Sequence, residues 1–162
     1  MFVSPMWQSA YTSTYSAYGR THVASIYSKE EGHRVNGEAL HEHARERVQE
    51  LPGANLEHPF GPGWDVYKVR GKVFMLLTDA TGEPIVILKT DPEGGKALRE
   101  QHEDITPGYH MNKKHWITLH PSGDLSKPLI DDLVTDSYLL VVENLPRAKR
   151  PVDPVTFGRD IR

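Results

Sequence analysis

The stretch Pro107-Gly108-Tyr109-His110-Met111-Asn112-Lys113-Lys114-His115-Trp116 decides how the rest of the chain is read. Proline fixes φ and removes a backbone donor, and glycine permits positive φ, so the Pro-Gly pair closes whatever precedes it. Residues Tyr109 to Lys114 follow neither helical nor strand periodicity. His115-Trp116-Ile117-Thr118-Leu119 then reads as a strand, with His115 sharing parity with Ile117 and Leu119 and expected as a hydrogen-bonded core histidine. Polar side chains on irregular backbone, held against a strand, suit a recognition surface. They suit a structural corner equally well, and both readings stay open at this point.

Upstream of this stretch, Asp91-Pro92-Glu93 combines an N-cap, Pro at the first helical position and an acid near the positive helix end. The helix it starts is weakened by Gly94-Gly95 and should end around His102. Before it lie three strands. Asp65 to Val69 alternates, Val73 to Leu77 is apolar throughout, and Ile85 to Thr90 follows the loop Asp79–Pro84. Arg70-Gly71 supplies a tight hairpin, and the short connections imply an antiparallel meander. Leu56 to Phe60 is a short strand or extended entry, and Gly61-Pro62-Gly63 a turn without phosphate-loop context. The first helix runs from about Gly37 to Leu51, capped by Asn36, with Leu40, Ala44, Val48 and Leu51 as its core stripe. Pro52-Gly53 stops it.

Downstream, Pro121-Ser122-Gly123-Asp124 is a turn. Ser126 caps a helix over Lys127 to Val134, with a second helix or its continuation over Asp136 to Glu143. Leu145-Pro146 closes the domain. The whole is an α+β domain: an antiparallel sheet covered by helices on one side.

The quoted stretch, together with His58-Pro59-Phe60-Gly61-Pro62, Lys72-Val73-Phe74-Met75-Leu76-Leu77 and Ser137-Tyr138-Leu139-Leu140-Val141-Val142, closely resembles the pattern of the MmcQ/YjbR family of small bacterial proteins. The resemblance covers roughly residues 36 to 146. It implies a frataxin-like (CyaY-like) fold and the role of a double-wing DNA-binding protein. Fold by itself does not establish function.

The chain has 162 residues, which suits one domain with tails. Residues 1–35 form a Ser-, Thr- and Tyr-rich extension without sustained period, expected to be flexible. In it Tyr11, Tyr15 and Tyr18 fit at most one face of a short helix. The family-like part begins at Asn36, next to Val35, and GUG is a bacterial start codon that reads as Val internally. This makes a native start at residue 35 an expectation that intact mass from the host tests. Residues 147–162 form a mildly basic tail, with Arg147, Lys149, Arg150, Arg159 and Arg162, that Pro151 and Pro154 keep extended.

There is no Cys, which excludes disulfides, thiolate zinc sites and a Cys nucleophile. The apolar runs are too short for a bilayer and no signal-peptide pattern opens the chain, so a cytoplasmic protein without a membrane partner is expected. The net charge is −3, so any DNA affinity must come from a local patch.

No nucleophile elbow, phosphate loop or zinc helix is present, and no catalytic site, metal or cofactor is assigned. His41 and His43 are two apart and point to different sides of a helix. His110 and His115 would need the irregular backbone between them to share a metal. The series Glu38, Glu42, Glu46, Glu50 invites an iron-ridge reading on a frataxin-like fold, but Arg45 and Arg47 interrupt it, and a solvated face is the simpler reading. The groups suited to double-stranded DNA are Lys68, Arg70 and Lys72 on the first hairpin, with Tyr109, His110, Asn112, Lys113, Lys114 and Trp116 in the quoted stretch. The alternative is a non-enzymatic protein- or small-ligand-binding module built on Tyr109 to Trp116.

Overall fold

The computed structural model describes residues 37–121 and 123–158. The Tyr-rich extension, the start at residue 35, the Asn36 cap, Ser122 of the turn, and Arg159 and Arg162 lie outside the described residues. Helix α1 spans Gly37–Val48. Strands β1 (Ala54–Glu57), β2 (Trp64–Val69), β3 (Lys72–Thr78) and β4 (Ile85–Lys89) follow, then α2 (Pro92–Gln101), β5 (Ile105–Pro107), β6 (Trp116–Leu119) and α3 (Lys127–Glu143). The strands form one six-stranded sheet in the order β1-β2-β3-β4-β6-β5. Every neighbouring pair is antiparallel. The expected α+β architecture, with helices on one side of an antiparallel sheet, is the one observed.

Alternation assigns the two faces. On the helix side, Tyr67, Val69, Met75, Leu77, Val86, Leu88, Ile117 and Leu119 meet Leu40, Ala44 and Val48 of α1, Leu98 of α2, and Ile130, Leu133, Val134, Tyr138, Val141 and Val142 of α3. One irregularity strengthens this core. Tyr67 pairs with Met75 but Lys68 pairs with Val73, so Phe74 is an extra residue. A bulge of this kind lets successive residues escape strict alternation. Phe74 and Met75 both join the helix-side core. The bulge also ends the β3–β4 ladder at Met75 and Leu88. The buried Ser137 hydroxyl fills the gap, donating to the Phe74 carbonyl at 2.6 Å and accepting the Lys89 N–H at 2.8 Å.

Of the three predicted caps, the two among the described residues form. Asp91 Oδ1 accepts the Gly94 N–H at 2.8 Å, and Ser126 Oγ the Leu129 N–H at 3.3 Å. Gly94 and Gly95 are buried inside α2. Of the two arrangements expected for the last helix, the continuous one holds: α3 is a single helix of 17 residues. Tyr138 packs edge-on against Phe74 with ring centroids 5.5 Å apart. Its hydroxyl donates to the Pro52 carbonyl, and burial pushes its pKa up to about 12. On α1, His41 Nε2 lies 2.9 Å from the Ile85 carbonyl, and burial holds its imidazole below the ordinary value.

Two expectations need correction. Residues 105–107 form an edge strand that sequence reading omits, because three residues ending in Pro give no periodicity. The segment after Pro146 is not simply extended: Arg147–Lys149 is a 3-10 turn, and Val152 and Phe157 pack on the main core. Two apolar side chains packed on the core outweigh the prolines; the Phe157 and Tyr138 rings are 6.2 Å apart.

Candidate functional site

The Pro107–Trp116 stretch is the connection from β5 to β6, folded back onto the sheet face opposite the helices. Its base is tight. The Gly108 N–H donates to the Trp116 carbonyl at 2.9 Å, and a Cβ at Gly108 would stand 2.5 Å from Trp116 Cβ. Only glycine fits so close to a neighbouring strand. The Tyr109 N–H donates to Thr118 Oγ1 at 2.9 Å, which in turn donates to the Pro107 carbonyl at 3.1 Å. Asn112 Oδ1 accepts the N–H groups of Lys114 at 2.8 Å and His115 at 3.1 Å, closing an Asx-type turn. Lys113 Nζ donates to the Gly108 carbonyl. His110 stands at φ 58°, in the left-handed region.

This loop helps cover a second, smaller cluster of Val66, Leu76, Ile85, Ile87 and Trp116, against which Trp64, Val73, Tyr109 and Met111 pack. Trp116 is 8% exposed, with Lys89 Nζ 5.1 Å above its ring. His115 is exposed, not in the core as expected. The strand begins one residue later, at Trp116, because the Asn112 turn captures the His115 N–H.

Strand register fixes where the cations stand. Lys72 pairs with Val69, Lys89 with Trp116 and Ile117 with Pro107. The β2–β3 turn and the 108–115 loop therefore leave the sheet at the same end. At that turn Arg70 has φ 50° and Gly71 φ 80°, the positive pair that a type I′ hairpin requires. Arg70 Nε donates to the Lys149 carbonyl at 2.9 Å, which docks the basic turn Arg147–Lys149 beside the hairpin. Arg70, Lys72, Lys113 and Lys114 thus share one end of the sheet. Lys72 and Lys114 are exposed. Lys68 lies on the loop-covered face and pairs with Glu57 at 2.6 Å, which holds the Glu57 carboxyl below its usual range.

Sequence reading missed a row of rings. Phe60 contacts Trp64 edge-on at 6.2 Å, Trp64 stacks with Tyr109 at 6.3 Å and 13° between planes, and Tyr109 meets His110 at 4.1 Å. The row joins His58-Pro59-Phe60-Gly61-Pro62 to the 107–116 stretch across the sheet. Its far end is braced by polar contacts. Asp65 accepts from Arg45 at 3.0 Å and lies 3.0 Å from His58 Nε2, while Thr78 Oγ1 donates to the Gly63 carbonyl at 2.8 Å. The sequence shows its members as residue types, Phe60 in the His58–Pro62 motif and Tyr109-His110 in the quoted stretch, but not their contact, since the two segments share no period.

At the opposite end of the sheet, His120 lies 2.8 Å from Glu83 and 2.9 Å from Thr106 Oγ1, tying the β3–β4 loop to the β5 edge. Among the described residues no group of three or more His, Asp or Glu is arranged to hold a metal ion. Just past α1, Glu50 partners Arg47, and Glu46 on α1 lies 3.9 Å from Lys127. No helix among the described residues is long and apolar enough to cross a membrane.

Comparison with known proteins agrees with the fold. The YjbR family model matches residues 49–140. YbdF of Escherichia coli O157:H7, an uncharacterized protein, is 44% identical over 124 residues, covering 76% of this chain and 100% of that one. The uncharacterized YjbR of Escherichia coli K12 is 41% identical over 83 residues, covering 51% of this chain and 70% of that one. Among solved structures, protein DR2400 of Deinococcus radiodurans superposes with a TM-score of 0.63 at 33% identity, covering 72% of this chain and 86% of that one. A Pseudomonas syringae protein superposes at 0.52 with 30% identity, covering 59% and 92%. On the family match and these identities, this chain belongs to the YjbR family.

Proposed function

We propose that this chain is a non-enzymatic, cytoplasmic DNA-binding protein that grips the phosphate backbone of a duplex weakly and without strong sequence preference. The observation that supports it is the shared end of the sheet, where Arg70 and Lys72 of one hairpin stand with Lys113 and Lys114 of the other connection. The basic turn Arg147–Lys149 is docked beside them. Two basic projections at one end suit phosphate contacts, and such contacts position without reading sequence. The overall charge of −3 limits the affinity and makes the local patch carry it. The second reading, a protein- or small-ligand module, draws on the left-handed His110, held at φ 58° against Tyr109, since strained residues cluster at functional sites.

The test is fluorescence anisotropy with a random-sequence duplex across a salt series. Affinity is expected to fall linearly with log salt, and Lys113→Ala/Lys114→Ala to flatten the slope by about two. No binding at low salt, or an unchanged slope in the double variant, contradicts the reading.

A further inference from the structure

We propose that the row Phe60–Trp64–Tyr109–His110 is a stacking platform for the unpaired bases of single-stranded nucleic acid. The inference rests on the nucleic-acid reading above and extends it to a second substrate form. Among the described residues the large apolar side chains left exposed are Leu56, Phe60 and Val155, and Phe60 is 65% exposed. Held in a contact row with Trp64, the exposed Phe60 ring presents a face on which another ring can stack. The row crosses the sheet face opposite the helices, passing from the turn before β2 to the β5–β6 loop.

Cations border it on that face and at the adjoining end of the sheet. Lys68 shares the face with Val66 by alternation, Lys89 lies over the Trp116 ring, and Lys113 and Lys114 follow His110 in the loop. The ion pair between Lys68 and Glu57, the acid in register with Val66, leaves Lys89, Lys113 and Lys114 as the cations for the phosphates. Bases stack on rings whatever their sequence, while flanking lysines take the phosphates; a sheet face carrying both is suited to an unpaired strand. A duplex hides its base faces and has no use for Phe60.

The experiment measures binding of labelled oligo-thymidylate, oligo-uridylate and a blunt duplex to the full chain at moderate salt. The variants are Phe60→Ala, Phe60→Leu, Phe60→Trp and Lys113→Ala/Lys114→Ala, with thermal melting as the check on folding. Phe60→Ala and Phe60→Leu are expected to weaken single-strand binding about tenfold, with duplex binding unchanged and Phe60→Trp close to wild type. The oligonucleotide that binds identifies DNA or RNA as the source of the strand. Equal single-strand affinity for wild type and Phe60→Ala overturns the platform, as does full retention in Phe60→Leu. Loss of Phe60 dependence with intact, lysine-dependent duplex binding sinks this inference alone. Phe60-dependent strand binding without any duplex binding sinks the duplex reading alone.

Discussion

The helix side of the sheet and the loop-covered side are built from alternate residues of the same strands, yet they carry different chemistry. On the helix side Leu40, Phe74, Met75, Ile117, Leu119 and Ile130 are all at most 1% exposed, and α1, α2 and α3 pack over them. On the other side a small apolar centre grades outward into rings and lysines: Trp64, Tyr109, His110, Lys68 and Lys89. The first arrangement stabilises by removing area from water. The second spends fewer side chains on burial and leaves the loop-covered face and its adjoining end polar, basic and aromatic. The difference separates residues buried to hold the fold from the more accessible residues on which the proposed function draws.

The separation breaks most visibly under substitution. Leu40→Ala, on the helix side, is expected to cost ~2–5 kcal/mol in urea denaturation, whereas Phe60→Ala costs less than ~0.5 kcal/mol. Comparable losses would erase the contrast between the faces. Ser137→Ala is expected next, at ~1–3 kcal/mol, because it strands the Phe74 carbonyl and the Lys89 N–H at the bulge. Gly108→Ala tests the seam between the faces. Its Cβ would meet Trp116 Cβ at 2.5 Å and Trp116 backbone at 3.1 Å, so a loss of ~1–3 kcal/mol accompanies a displaced loop and an altered Trp116 fluorescence.

The smallest expected effect is a pH dependence. Burial lowers the pKa of His41 and His102 below 6.5 in the folded chain. The unfolded chain therefore takes up protons first, and stability present above 6.5 is lost as pH falls through the folded values. Asp91, raised above 3.8 by burial, acts with the opposite sign in a more acidic window. Urea midpoints should decline on acidification from neutrality, and His102→Gln should flatten that decline. A flat profile in the unaltered chain contradicts it.

Much of the fold was legible because local rules and global packing agree. The α1 stripe, the two caps at Asp91 and Ser126, and the Arg70-Gly71 hairpin are short-range signals that tertiary structure leaves intact. The bulge at Phe74 was hidden, because a run that is apolar throughout shows no break in period when one residue is inserted. β5 was hidden by its length. His115 is misplaced by parity because alternation holds only inside the strand, and the Asn112 side chain keeps the His115 N–H in the preceding turn. Of the candidate site, the cations and the Tyr109-His110 pair were legible as residue types. Their shared end with Arg70 was not, since it depends on β4 lying between the hairpins, and the Phe60–Tyr109 row depends on contacts between distant segments.

The most direct test of the two-sided account is backbone and indole chemical-shift mapping of the full chain during titration with duplex and with oligo-thymidylate. The predicted shifts fall on Phe60, Trp64, Lys72 and the Tyr109–His115 loop, with α1 and α3 silent. Shifts centred on Glu42, Glu46 and Lys127 of the helix side, or no shifts with either oligonucleotide, would contradict it.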